Sequence, residues 1–388
     1  MTTKYALVLS GGGFKGAFQL GALHHLRTHW KEITGNDGPM HFDIVAGVSV
    51  GALNGALVAQ KRMDDLNALW DGVEHNGASE IFESPHIRRD GHLRIDIAAL
   101  KHALIPGFRV RFGMVMRALW NAIRRIFNSS APSVLEPFLD AVKADFEKHI
   151  AGFKGLATSK GLEDKLARYV SKSRFDPRTR FCCGIVSLQD GQYGSLETTD
   201  FANDTDLRMG ILASAMMPIV WPPVKSIATK RGNIRNGVDG GVRNNSPLGD
   251  VIRRIQDAHA NNYRIIIINC SNGDVEPMKT TDPSILRVAL RSLTEITMSE
   301  IFNNDIDTFL RTNDLVRQAA AKGCTLYVER RINETLRKVP LIAFEAKIIQ
   351  PLNSLGDTMD TTSAMIQERR ELGASRAREA FASADWNA

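Results

Sequence analysis

Three short groups of residues carry the chemistry open to this chain. The first is Gly47-Val48-Ser49-Val50-Gly51, a G-x-S-x-G pattern between an apolar run and a helical pattern. A serine can serve as a nucleophile when a sharp strand-to-helix turn projects its hydroxyl, and glycines on either side tolerate the crowding there. The helix that follows brings main-chain N–H groups and the positive end of its dipole close to a developing negative charge. Without that context, the same pattern reads as a serine in a small-residue packing turn.

The second group is Gly11-Gly12-Gly13-Phe14-Lys15-Gly16, which also follows an apolar run and opens a helical pattern. Residues without side chains let several N–H groups converge on one oxygen, as an oxyanion hole requires. The loop also fits G-x-G-x-x-G, the dinucleotide fingerprint, which needs an acidic residue at the far end of the second strand. Asp43 is the candidate, but it stands at the near end of that strand, and Ser49 occupies the far one. A P-loop fails because no Lys-Ser or Lys-Thr follows at the required spacing. In a parallel sheet both glycine loops lie at the carboxyl ends of their strands, so donors and nucleophile can meet.

A serine nucleophile needs a base. The only histidine beyond Asp239 is His259, near the end of a helical pattern, where histidine usually caps. The third group, Val238-Asp239-Gly240-Gly241, offers a carboxylate between apolar and glycine neighbours. Partly desolvated, it could take the serine proton directly. Asp-Gly by itself more often marks a turn.

Around these groups, strands are expected over 4–9 and 41–48, with helices over 17–30 and 50–60. This is the alternation of a parallel α/β sheet. Further strands are expected over 180–188, 192–198 (turning at Gly191), 263–271, 324–329 and 341–348. Helices are expected over 206–216, 247–259, 284–321 and 361–380. The fold class expected is a three-layer α/β/α sheet with a mostly helical insertion. The domains are 1–80 with 180–350 as the catalytic unit, 81–179 as insertion, lid or cap, and 351–388 as a C-terminal helical segment.

Taken in order, Gly11–Gly16, Gly47–Gly51 and Asp239-Gly240 resemble the signature motifs of the patatin-like phospholipases. Ala213-Ser214-Ala215-Met216-Met217-Pro218, with Trp221-Pro222-Pro223, resembles a fourth block that the family places ahead of its aspartate. The resemblance covers roughly 1–60 and 180–270. It implies a Ser–Asp dyad cleaving acyl esters of lipids, with Ser49 as nucleophile, Asp239 as base and Gly11, Gly12 and Gly13 as oxyanion donors. Lys15 stands where the family often has arginine. Two other readings stay open: a dinucleotide-binding protein using Gly11–Gly16, and a latent member that needs activation.

Charge is unevenly spread. Residues 85–125 hold nine basic side chains against two acidic ones, in a chain of net charge +6, so the remainder sums to −1. Within and after this stretch, Phe112, Val115, Met116, Leu119, Ile123 and Ile126 follow a helical face, as do Leu135, Phe138, Leu139, Val142, Phe146 and Ile150. The expectation is a contact with an anionic membrane surface, against the plainer reading of a cap whose arginines face water. No base-reading module points to nucleic acid. Cys182, Cys183, Cys270 and Cys324 form no C-x-x-C pair and read as thiols of a reducing compartment. His24, His25 and His29 read as structural, with no metal expected and no cofactor required. Met216 and Met217 are candidates for lining an acyl pocket. The expected location is cytoplasmic, peripheral at the membrane, with neither signal peptide nor transmembrane helix.

Overall fold

The computed structural model describes residues 3–84, 87–89, 93–95, 155–257, 262–275, 277–278, 281–283, 288–289, 291–332, 335–382 and 386. Most of the expected insertion, both of its amphipathic patterns and His259 lie outside these residues. The described parts of 81–179 include a small hairpin, Ile87–Arg89 with Leu93–Ile95, and a helix, α4 (Lys160–Tyr169).

The centre is a mixed sheet. Strands β1 (Lys4–Leu9), β2 (Ile44–Gly47), β3 (Arg180–Ser187), β7 (Tyr263–Ile268) and β8 (Glu345–Ile349) run parallel in the order β8-β7-β1-β2-β3. Beyond them β4 (Tyr193–Glu197), β5 (Val224–Thr229) and β6 (Gly232–Asp239) pair antiparallel.

Side chains alternate across a strand, so each parallel strand feeds two cores. Tyr5, Leu7 and Leu9 enter one cluster, while Ala6 and Val8 enter the other. The Ile265–Ile268 run splits the same way, with all four residues fully buried. Each such isoleucine contributes ~1.5–3 kcal/mol over an exposed one. Helices α1 (Gly16–Thr28), α2 (Val50–Ala59), α3 (Met63–Asn76), α5 (Asp204–Ser214) and α8 (Ser363–Ala380) supply the first cluster. On the other face, α6 (Leu248–Asp257) brings Leu248, Val251 and Ile255, and α7 (Thr297–Ala321) brings Phe302, Ile306 and Phe309. The result is three α/β/α layers.

Two differences from the sequence expectations have clear causes. The strand expected over 324–329 forms as Tyr327–Ile332, and it pairs with Thr335–Pro340 as a separate hairpin. Leu336 there is 66% exposed, and charged residues interrupt both strands, so the ribbon has no continuous apolar face to bury in the main sheet. The β5–β6 hairpin was not expected, because β6 is buried only at its last three residues. Among the described residues no helix is long and apolar enough to cross a membrane.

Candidate active site

The turn after β2 is built by close approach. A Cβ on Gly47 would fall on the Gly51 carbonyl, and one on Gly51 would meet the carbonyl oxygens of Leu9 and Ser10. Between them Ser49 takes φ 56° and ψ −129°, a conformation that costs an L residue ~1–3 kcal/mol. Strain of this kind persists where the surroundings over-determine it. The Ser49 N–H donates to Ser214 Oγ at 3.1 Å, and the Ser49 carbonyl accepts from the N–H of Ala52 at 2.9 Å.

Asp239 arrives from the opposite direction. Gly47, at the end of β2, pairs with Cys183, whereas Asp239, at the end of the antiparallel β6, pairs with Ile185. Because β4 takes the other edge of β3, the ends of β2 and β6 meet head-on along one edge, with Gly184 between them. A Cβ on Gly240 would lie 2.5 Å from the Gly184 carbonyl oxygen. The Asp239 N–H donates to the Met216 carbonyl at 3.0 Å, so the 213–218 block holds both Ser49 and Asp239.

The Asp239 carboxyl is 1% exposed. Burial pushes its pKa from the ordinary carboxyl value up to about 7, and the Ser49 side chain and the Gly241 N–H pull the other way. Oδ1 accepts from the Gly241 N–H at 2.8 Å, while Oδ2 is buried without a hydrogen-bond partner among the described residues. Ser49 therefore lies near enough to influence the carboxyl without forming a hydrogen bond of full geometry to it.

The glycine loop stands beside this pair: a Cβ on Gly11 would be 3.3 Å from Ser49 Cβ. Most of its donors are already used. Gly11 N–H donates to the Asn245 carbonyl (3.0 Å), Phe14 N–H to that of Thr358 (3.1 Å) and Lys15 N–H to that of Gly12 (3.1 Å). The Gly16 N–H is taken by Gly13 and Phe14. Among the described residues, only Gly12 and Gly13 of this loop keep N–H groups with no partner. Gly12 packs on Cys270 and Gly13, at φ 55°, on Thr358. Burial, and then Arg369, lower the Lys15 pKa.

A patatin-like phospholipase family model matches residues 7–252, more than half of the chain. The chain belongs to the patatin-like phospholipase family. This is a family of lipid acyl hydrolases, and its lipid-directed chemistry agrees with the site's apolar surroundings. Among solved structures, VipD from Legionella pneumophila matches with 13% identity and a TM-score of 0.42, over 98% of this chain and 67% of that one. No curated protein matches.

In this patatin-like chain Ser49 lines a cavity. Its walls are almost wholly apolar, with Leu53, Leu69, Trp70, Leu162, Met217 and Met359 prominent among them. Met217 lines it as expected, but Met216 does not. The chain leaves α5 so that the Met216 side chain is fully buried in the core. Met116 lies outside the described residues.

The dinucleotide alternative finds no support in the placement of Asp43. Its carboxylate accepts the Tyr5 N–H at 3.0 Å, at the amino end of β1, about 20 Å of strand from the glycine loop. His24 bonds to Asn67, and His25 stacks on His29 with ring centroids 4.3 Å apart. His24 and His25 lie on α1 and His29 caps it, away from Ser49. Sequence reasoning missed Asn245, Thr358 and Met359. Only Asn245 had a local signal, its closeness in sequence to Asp239.

Proposed function

We propose that the chain is a phospholipase A-like serine acyl hydrolase that cleaves fatty acyl esters of phospholipids through Ser49 and Asp239. The observation that carries the reading is the meeting of a strained, elbow-borne hydroxyl with a buried carboxyl whose pKa is about 7 and whose Oδ2 is unengaged. Near neutral pH such a group is close to half ionised, and so is fit to take and return a proton.

The steps follow from the positions. Ser49 Oγ attacks the ester carbonyl as its proton passes to Asp239, and the oxyanion is met by the N–H groups of Gly12 and Gly13. Collapse breaks the ester C–O bond. The leaving alcohol takes the proton back from Asp239, and the acyl chain stays on Ser49 with its tail in the apolar cavity. Water then gives a proton to Asp239, attacks the acyl carbonyl and frees the fatty acid and the Ser49 hydroxyl. Gly47, Gly51, Gly240 and Gly241 act by shape, and Phe14, Lys15 and Gly16 carry the loop into α1. Nothing in these steps calls for a metal or an organic cofactor.

The basic stretch 85–125 supports a membrane-surface role by charge alone. Neutralising Arg117, Arg124 and Arg125 together should weaken binding to anionic liposomes, and unchanged binding removes that role. For the catalytic reading, wild type, Ser49→Ala and Asp239→Ala are assayed side by side on a lipid panel. Both variants should lose hydrolysis. Loss in only one of them breaks the paired assignment.

A further inference from the structure

The family match ends at residue 252, yet the cavity beside Ser49 is completed by a residue far beyond it, Met359. The segment 355–360 lies across the glycine loop as a strap. Its Thr358 carbonyl accepts the Phe14 N–H at 3.1 Å, the Thr358 side chain packs on Gly13, and the next side chain, Met359, lines the cavity.

Two consecutive arginines on α8 tie down two of the elements that line this space. Arg369 is 1% exposed, and its guanidinium is spent on main-chain carbonyls of the strap. Nε and Nη2 donate to Leu355 at 3.1 and 2.9 Å, Nη2 to Asp357 at 2.7 Å and Nη1 to Asp360 at 2.8 Å. A planar fork can hold several carbonyls in fixed directions, which the single ammonium of a lysine cannot. Arg370 pairs with Asp71 and Glu74 of α3 at 2.9 and 3.0 Å, and α3 brings Leu69, Trp70 and Val73 to the cavity. Helix α8 is itself seated on α1, where Gly21 meets the Arg370 carbonyl and Gly373 that of Phe18.

We propose that Met359 determines which acyl chain lengths the Ser49 cavity accepts, and that Arg369 is the positioning residue that fixes Met359 there. The inference rests on the reading of Ser49 as the acylated residue and of the cavity as the acyl site. A flexible thioether in the wall takes up space that a chain could otherwise fill. A difference of as little as one methylene in a hydrophobic pocket changes discrimination by about tenfold or more.

The test compares the rates at which a short-chain and a long-chain alkyl fluorophosphonate label Ser49, followed by intact mass. Met359→Ala should raise the long-to-short ratio by about tenfold, and Met359→Trp should lower it by about as much. Met359→Leu, close in volume, should stay near wild type. Arg369→Lys should move the ratio in one direction only if Met359 is present, so that the double variant with Met359→Ala matches Met359→Ala alone. Simple destabilisation would reduce the labelled fraction for both probes and leave the ratio untouched. A ratio that is the same in wild type, Met359→Ala and Met359→Trp overturns the inference while the nucleophile assignment stands. Failure of both probes to label Ser49 in wild type overturns that assignment, and this inference with it.

Discussion

The main-chain N–H of Ser49 donates to the hydroxyl of Ser214, 165 residues along the chain, and Ser214 is fully buried. The bond anchors the strained turn through its main chain. Ser214→Ala leaves the N–H unpaired at a cost of ~1–3 kcal/mol. Ester hydrolysis should fall about tenfold or more in kcat with little change in KM, because the elbow loosens while the acyl cavity is left intact. An unchanged kcat would mean that the elbow needs no such support.

Asp239 couples activity to pH. As a base it must be ionised, so kcat/KM should rise with pH along a limb centred near 7. Stability runs the other way. The folded-state pKa lies above the ordinary carboxyl value, so this group's contribution is intact below about pH 4 and is lost as pH rises through 7. Asp239→Asn removes that loss. It should abolish hydrolysis yet raise stability above pH 7, by at most on the order of 4 kcal/mol, with the difference vanishing below about pH 4. Denaturant titrations at about pH 4 and pH 8 measure it, and equal gaps at both would assign the pKa elsewhere.

Two glycines should respond in opposite senses. In Gly240→Ala the new methyl meets the Gly184 carbonyl 2.5 Å away, in main chain that cannot give without parting β3 from the Asp239 turn. Activity should fall by at least about a hundredfold, since small misplacements at a reacting centre cost that much. Gly249, in α6, has no atom within 4 Å of the point where an alanine methyl would stand. Gly249→Ala should stabilise the protein by ~0.5–1 kcal/mol with full activity, by stiffening the unfolded chain and favouring the helix. Thermal melts and ester hydrolysis on both variants measure the two effects.

Thiol chemistry checks the packing independently. Cys182, Cys183 and Cys270 are buried, and burial raises the pKa of each, to about 12 for Cys182 and Cys270; Cys324 is exposed. A chromogenic disulfide reagent should titrate a single thiol in the native protein, and none in Cys324→Ser. More than one fast-reacting thiol would contradict the burial of Cys270 beneath Gly12.

The legible parts of the site were the local ones. Gly47–Gly51 and Gly11–Gly16 each sit where an apolar strand turns into a helix, so the elbow and the loop were readable from adjacent residues. Asp239 was readable from its glycine neighbours, but its strand was not, since only Gly237, Val238 and Asp239 of β6 are buried. Met216 misled because two adjacent methionines after a helix leave it in different directions, one into the core and one to the cavity. The strap left no trace in the sequence at all. Thr358 acts through its main-chain carbonyl, which every residue type carries, and it meets Phe14 from the far end of the chain, where α8 packs on α1.

The head-on meeting of β2 and β6 makes Gly184 a spacer of fixed length. Since Cys183 and Ile185 are the two register marks, adding one residue at that point of β3 would pull the serine and aspartate ends apart by ~3.3 Å, and removing one would drive them together. A stretch of chain that bears no reactive group should therefore tolerate changes in length as poorly as the turns that bear them.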